Sequence, residues 1–207
     1  MNRGVKVKKE RIAVFIDGSN LYFKLRTAID HKMDFIHYRY RDLFASIYPE
    51  GQTAYIGYYI GVVKQEKRSP DKQKTAELRK NQQKLFDQLT HQGIKIQKGY
   101  LLEHDGKYFE KGVDVRLAID IVAGAYEDAY DRAIVVSSDT DLIPAIQKAQ
   151  SLNKQVTYLG FEHQPSLALV RYASHTKLLD TDKIERYQAK KLKIRRFDDV
   201  KKKKKQK

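Results

Sequence analysis

Short apolar runs alternate with stretches of helical periodicity along most of the chain. Residues 11–16 (RIAVFI) are a β-branched apolar run that ends in a glycine-containing turn, which is typical of a buried strand. Further strands are predicted over residues 53–63, 94–103, 133–136, 155–159 and 177–179. Helices are predicted over residues 19–29, 38–48, 75–91, 113–126, 140–151 and 165–173. This alternation predicts an α/β fold with a central, mainly parallel sheet flanked by helices on both faces.

Acidic residues follow three of the predicted strands. Asp17 begins the segment D-G-S-N after the first strand, and Asp114 enters the helix after the third strand. Asp139 and Asp141 follow the fourth strand directly. Because ligands of parallel sheets bind at the carboxyl ends of the strands, we expect these four carboxylates to share one site.

Four neighbouring carboxylates repel one another unless a cation lies between them. Oxygen ligands of this kind suit Mg²⁺ or Mn²⁺, and the chain has no cysteine, which excludes a cysteine-bound zinc or iron–sulfur site. A divalent ion held by carboxylates can activate a water and polarise a phosphodiester. The pattern therefore predicts a site for phosphodiester hydrolysis.

Each acidic segment taken alone also has a simpler interpretation. Asp17 and Ser19 can cap the first helix, Asp139 can cap the helix that follows it, and Asp114 and Asp141 are favourable near helix N-termini. The metal-site hypothesis depends on the three segments occurring together after strands of one sheet.

Four further residues are candidates for supporting roles at this site. Asn20 lies one helical turn beyond Asp17 and can orient a water, a phosphate oxygen or a neighbouring carboxylate. Ser137 and Ser138 lack an identifiable histidine partner, so we expect them to donate hydrogen bonds near the metal. Asp120 interrupts an apolar helix six residues after Asp114, which points it to a different side of the helix and favours an indirect or structural role.

The net charge of +15 is concentrated at the two ends of the chain. Residues 1–11 carry +4, residues 189–207 carry +9, and the remaining 177 residues carry only +2. The final lysine run is predicted to be disordered, and such a polycation binds phosphate backbones without reading sequence. A solubilising role and attraction to an acidic membrane surface are the alternatives.

Basic residues near the predicted site are candidates for RNA binding. In the body of the chain they are Lys24, Arg26, Lys111 and Arg116, and in the tail they are Lys201, Lys202 and Lys203. For each residue in the body of the chain taken alone, a solvated surface charge is the simpler interpretation. No apolar stretch is long enough for a transmembrane helix or a signal-peptide core, so we expect a cytoplasmic protein. Homodimerisation is left open on general grounds.

Three ordered motifs carry a resemblance to a known family. The segments VFIDGSNLY (14–22), KGVDVRLAID (111–120) and IVVSSDTDLIPAI (134–146) resemble the NYN domain of the LabA-like family, within the PIN-domain-like nuclease superfamily. The resemblance implies a three-layer Rossmann-like fold and metal-dependent RNA cleavage. It assigns the metal to Asp17, Asp114, Asp139 and Asp141, with Asn20 as the motif's asparagine and Asp120 as a further acid. Ser138 stands where the third motif usually has glycine.

The predicted organisation is a basic arm (1–10), an NYN domain (11–188) and a basic tail (189–207). The leading hypothesis is a ribonuclease that uses Mg²⁺ or Mn²⁺ to cleave single-stranded or flexible RNA. The alternative is a non-catalytic RNA-binding or regulatory module with the same fold. A phosphatase that acts through an aspartyl phosphate fits poorly, because position 19 is serine where that chemistry typically needs a second aspartate.

Overall fold

A computed structural model describes residues 9–29, 33–63, 72–104 and 107–189 of the 207-residue chain. The strands are β1 (Arg11–Asp17), β2 (Gln52–Val63), β3 (Lys95–His104), β4 (Lys107–Lys111), β5 (Arg132–Val136), β6 (Gln155–Phe161) and β7 (His175–Leu179). The helices are α1 (Gly18–Ala28), α2 (Tyr40–Ala45), α3 (Lys72–His91), α4 (Val113–Tyr126), α5 (Ile143–Ser151), α6 (Leu167–Tyr172) and α7 (Thr181–Arg186). A 3₁₀ turn (Thr140–Leu142) precedes α5.

These strands form one sheet in the order β4-β3-β2-β1-β5-β6-β7. Every neighbouring pair is parallel except β3 and β4, which are antiparallel. The predicted α/β fold with a mainly parallel central sheet is therefore confirmed. Because β1 lies at the centre, its carboxyl end has β2 on one side and β5 on the other.

Two apolar layers cover the sheet, one on each face. Ile12, Val14 and Ile16 of β1 pack toward α1, α2 and α3, whereas Ala13 and Phe15 pack toward α4 and α5. A strand that is buried on both faces cannot alternate apolar and polar residues, which explains the uninterrupted apolar run at the start of the chain. The same reasoning explains why Tyr58 and Tyr59 of β2 are both buried, although they face opposite ways.

The antiparallel strand β4 is absent from the sequence prediction. It pairs with the second half of β3, with Leu102 opposite Phe109 and His104 opposite Lys107. The prediction places Asp114 in the helix after the third strand, whereas in the structure the antiparallel strand β4 and Gly112 lie between that strand and α4. The physical reason is the hairpin, which reverses the chain once more before α4 begins.

Helix α2 is shorter than predicted, and helix α7 is absent from the sequence prediction. The helix predicted over residues 38–48 is shortened to α2, since the backbone N–H of Arg39 donates to the carbonyl of Tyr187 at 3.0 Å instead of joining the helix. Helix α7 was not predicted. Asp180 caps it by accepting from the backbone N–H of Lys183, and the hydroxyl of Tyr38 donates to the carbonyl of Ile184 at 2.9 Å.

The predicted basic arm and tail lie outside the described residues, apart from residues 9, 10 and 189. Lys201, Lys202 and Lys203 are among the residues outside, and the domain boundaries at 10 and 188 stay predictions. In the described part of the chain, no helix is both long and apolar enough to cross a bilayer.

Candidate active site

The carboxyl ends of β1 and β5 bring two of the three acidic segments together. Ile16 of β1 is in register with Val136 of β5, so that Asp17 and Ser137 leave the sheet side by side. The Ser137 hydroxyl donates to Asp17 Oδ2 at 2.9 Å and accepts from the backbone N–H of Asp139 at 3.1 Å. A single buried serine thus links the first motif to the third.

Asp17 is buried, with 7% of its surface exposed, and it caps α1. Its Oδ1 accepts from the backbone N–H of Asn20 at 2.9 Å, as expected of an N-terminal capping residue. The tight turn needs Gly18, because a Cβ at that position would lie 2.8 Å from the Tyr59 carbonyl. The capping and site interpretations of Asp17 are therefore compatible, since a carboxylate oxygen can accept from the helix and still bind a cation.

Asp139 begins the 3₁₀ turn before α5. Its Oδ1 accepts from the backbone N–H of Asp141 at 2.9 Å, and Asp141 is exposed at the first turn. Ser138 replaces the usual glycine without backbone strain, since the described non-glycine residues with positive φ are Asp128 and Asn153. The turn that leads to Asp139 therefore accommodates a serine at position 138 without a left-handed backbone conformation.

Asp114 is exposed in the first turn of α4. Gly112 precedes this helix with a φ of +77°, a left-handed conformation that glycine adopts without cost. Val113 is buried, which fixes the start of α4 against the sheet while Asp114 stays accessible to ligands.

The donor chemistry of this edge fits a hydrated hard cation. Within the described residues, no three acidic or histidine side chains gather closely enough to form a ready-made metal cluster. Mg²⁺ commonly keeps several waters and uses only one or two carboxylates, a requirement that Asp17 and Asp139 can meet. Asp114 and Asp141 are accessible acids on neighbouring elements that can bind the ion directly or through its waters.

Asp120 belongs to a different network on the α4 face of the sheet. It lies roughly 9 Å along the helix axis from Asp114, at 1.5 Å per residue. The hydroxyl of Tyr59 donates to Asp120 Oδ2 at 2.9 Å, and Arg116 Nε donates to Oδ1 at 3.1 Å. Burial raises the pKa of Tyr59, helped by Tyr55 and Asp120, so the phenol stays protonated and keeps donating. These contacts give Asp120 a packing role.

The predicted basic residues divide into engaged and exposed groups. Lys24 Nζ donates to the carbonyl of Gln164 at 2.8 Å, which joins α1 to the loop after β6, and burial lowers its pKa. Arg116 is engaged with Asp120 but remains half exposed. Arg26 and Lys111 are exposed and accessible to a phosphate backbone.

Sequence reasoning passed over Tyr22, the last residue of the first motif, and Phe23, which follows it on α1. Both side chains are exposed, 39% for Tyr22 and 62% for Phe23, and they line a cavity beside Gly18. The sequence indicates this exposure, because Leu21 and Leu25 already occupy the core-facing side of α1 and two adjacent aromatic residues cannot both join them there.

Comparison with known proteins places these motifs in one domain type. Residues 11–180 match the family model of the NYN domain. A relative described as an uncharacterized protein of Methanocaldococcus jannaschii is 32% identical over 96 residues, which is 46% of this chain and 40% of that protein. The chain thus matches less than half of that relative's length.

A solved structure shares the fold. It is the crystal structure of a protein of unknown function from Vibrio parahaemolyticus, with a TM-score of 0.62 and 22% sequence identity. The likeness covers 86% of this chain and 98% of that one. At this identity the comparison supports the architecture alone.

Proposed function

The chain belongs to the NYN domain family, within the PIN-like nuclease superfamily, and on that premise we propose that it is a Mg²⁺- or Mn²⁺-dependent ribonuclease. Its substrate is single-stranded or flexible RNA, and the reaction is hydrolysis of a phosphodiester bond. Assignment to the LabA-like subfamily, a cytoplasmic location and a homodimer also stay predictions.

One observation carries the proposal: the buried hydroxyl of Ser137 joins the Asp17 carboxylate of the first motif to the backbone N–H of Asp139 in the third motif, at the carboxyl end of a parallel sheet. Helix caps alone do not need this link, because each cap already accepts a backbone N–H within its own segment. The shared serine instead fixes the Asp17 carboxylate against the backbone that carries Asp139.

In the proposed mechanism, Asp17 and Asp139 would hold the ion, and Asp114 and Asp141 would bind it directly or through waters. When bound, such an ion would supply an activated water and positive charge opposite the phosphodiester. Asn20 orients the water or a phosphate oxygen from the first turn of α1. The Ser137 hydroxyl keeps the Asp17 carboxylate turned toward the site. Ser138 donates a hydrogen bond at the edge of the site.

RNA must approach an acidic site against its own charge. Arg26 on α1 and Lys111 at the end of β4 are exposed and would supply positive charge to the RNA backbone. The tail lysines, Lys201 to Lys203, would add counterion-release energy without sequence preference. We therefore expect RNA binding to weaken steeply with salt.

The proposal is tested with end-labelled single-stranded RNA and purified full-length protein. Cleavage is measured with Mn²⁺ or Mg²⁺ and with EDTA, beside Asp114→Asn and the control Asp87→Asn, whose side chain is exposed on α3. We expect metal-dependent cutting by the wild type and by Asp87→Asn, and a large loss in Asp114→Asn.

Two outcomes would contradict this proposal. Cleavage that persists in EDTA would exclude the metal mechanism. Salt-sensitive binding of RNA without turnover in any metal would support the non-catalytic RNA-binding module in place of the enzyme.

A further inference from the structure

A cavity of about 550 Å³ opens between α1 and α3, directly beside the candidate active site. We call it the aromatic cavity, and its wall includes Ser19, Tyr22, Phe23, Phe35, Leu78 and Asn81. Gly18 also lines it, immediately after the proposed metal ligand Asp17. The cavity therefore adjoins the first turn of α1, which Asp17 caps, and its volume is in the usual range for small-molecule sites, about 300–1,000 Å³.

Aromatic side chains form the accessible side of this cavity. The rings of Tyr22 and Phe35 lie 4.7 Å apart, and Phe23 contacts the edge of Tyr22 with ring centroids 5.7 Å apart. Phe23 is 62% exposed, so packing within the domain does not account for it. Preformed aromatic surfaces of this kind stack with the flat faces of nucleic-acid bases.

Polar groups on α3 lie at the rim of the aromatic cavity. Asn81 is exposed there, and Gln82 is half-buried with its amide nitrogen 2.8 Å from the Gly61 carbonyl. Side-chain amides both donate and accept, which matches the hydrogen-bonding edge of a base. An aromatic wall with an amide at its rim suits a planar heterocycle better than an aliphatic ligand.

A basic cleft continues from the aromatic cavity along α3. It encloses about 370 Å³, shares Gln82 with the aromatic cavity, and is lined by Arg79, Lys80 and Lys98. This juxtaposition matches the chemistry of a nucleotide strand, in which a flat base is followed by an anionic phosphate.

We infer that the aromatic cavity binds an unpaired base of single-stranded RNA, next to the phosphodiester held at the acids, with the adjoining backbone directed along Arg79, Lys80 and Lys98. The inference rests on the proposed function in taking RNA as the ligand. A base within a duplex is stacked and paired and cannot enter, so the cavity selects single-stranded or splayed RNA.

The test measures RNA binding in EDTA, so that the readout does not depend on cleavage. A short fluorescent single-stranded RNA is titrated with full-length protein, and anisotropy reports the affinity. Phe23→Ala is expected to weaken binding on the order of tenfold, the usual effect of removing one stacked aromatic. Phe23→Trp keeps an aromatic face and is expected to bind about as well as the wild type.

The matched control is Tyr126→Ala, which removes an equally exposed aromatic side chain (60%) from α4, away from the cavity. It is expected to leave affinity unchanged. A second arm uses the same RNA with one abasic position moved along the strand. At one position along the strand, the abasic site should weaken binding to the wild type. The same abasic RNA should bind Phe23→Ala no more weakly than the intact RNA does.

The outcomes separate this inference from the proposed function. Equal affinity of the wild type and Phe23→Ala, or equal losses from Phe23→Ala and Tyr126→Ala, would overturn the base site even if the protein cleaves RNA. Loss of affinity in Phe23→Ala in a protein that never cleaves RNA would support the base site and overturn the ribonuclease. No RNA binding by the wild type would overturn the base site.

Discussion

The two ends of the central sheet hold their acidic residues in different ways. At the amino end, Arg11 contacts Asp131 at 2.7 Å and Asp128 at 2.9 Å, and Lys154 also pairs with Asp128. At the carboxyl end, Asp17 accepts from the Asn20 backbone N–H and from the Ser137 hydroxyl. In these contacts, guanidinium and ammonium groups bind the acids at the amino end, and neutral donors orient Asp17 at the carboxyl end.

Under the proposed function, contacts at the amino end of the sheet stabilise the fold, and those at the carboxyl end position the acids for chemistry. Ion pairs and stacking at the amino end fasten loops to strands, as where Arg132 bonds to Glu10 at 3.0 Å and lies over the ring of Tyr48. Neutral donors at the carboxyl end fix the direction of a carboxylate while adding no positive charge, which suits acids that are to bind a cation. The following variants test this division, in order of expected effect.

The largest effect is expected from Asp139→Asn and Asp17→Asn on cleavage. Each removes one anionic ligand, and we expect rate losses on the order of 100-fold, since metal-ion stabilisation of charge is worth several kcal/mol. Asparagine is as good an N-terminal cap as aspartate, so the urea midpoint should change little. Initial cleavage rates and urea unfolding are measured on the same preparations. A stable variant with wild-type cleavage would contradict the division.

The reverse pattern is expected from Arg132→Ala at the amino end. The Arg132 side chain is 11% exposed. Its loss removes the ion pair with Glu10 and the stacking on the Tyr48 ring. We expect a fall of about 2–3 kcal/mol in the free energy of unfolding. Cleavage per folded molecule should be unchanged. Urea unfolding measures the loss of stability, and cleavage rates normalised to folded protein measure activity. A loss of cleavage without a loss of stability would contradict the assignment of Arg132 to stability.

An intermediate effect is expected from Ser137→Ala, with Ser138→Ala as its matched control. The buried Ser137 hydroxyl links Asp17 to the Asp139 backbone, and its removal should slow cleavage about tenfold and cost about 1 kcal/mol of stability. Ser138 is half-buried, and its truncation should change both quantities much less. Equal effects of the two substitutions would show that the link through Ser137 is unimportant.

The smallest effect concerns acid stability at the amino end. Hydrogen bonds from Lys154 and then Arg11 hold the pKa of Asp128 below its ordinary value. A lowered folded-state pKa stabilises the protein above the unfolded pKa of about 3.9, and this contribution is lost as pH falls below it. The thermal midpoint of Asp128→Asn should therefore lie below that of the wild type at pH 6, with a smaller gap at pH 3. A constant gap would contradict the assignment.

Much of this fold follows from local sequence patterns. The apolar run at 11–16, the D-G-S-N turn and the spacing of the motifs predict β1, α1 and the edge where the acids lie. Strand β4 was missed although its signal exists: an Asp-Gly pair separates two alternating runs, a common hairpin pattern. Helix α7 gave a weaker signal, because its six residues are stabilised by tertiary contacts such as that of Tyr38 with Ile184.

The site was only partly predictable for a different reason. Proximity of Asp17 to Ser137 depends on which strands are neighbours, and sequence alone does not fix the order β2-β1-β5. The Arg116 partner of Asp120 lies four residues away on the same helix, but the Tyr59 partner lies 61 residues away on a facing strand. The exposure of Phe23 follows from its position on α1 beside the buried Leu21 and Leu25. The cavity that Phe23 lines could not be predicted, because it also depends on how α3 packs.

The central claim is that the acids at the carboxyl end bind a divalent cation. It is tested most directly by titrating Mn²⁺ with full-length protein and following free Mn²⁺ by electron paramagnetic resonance, in the wild type and in the double variant Asp17→Asn/Asp139→Asn. The account predicts Mn²⁺ binding by the wild type that is lost in a double variant with an unchanged unfolding profile. Equal Mn²⁺ binding by the two proteins, or none by either, would contradict it.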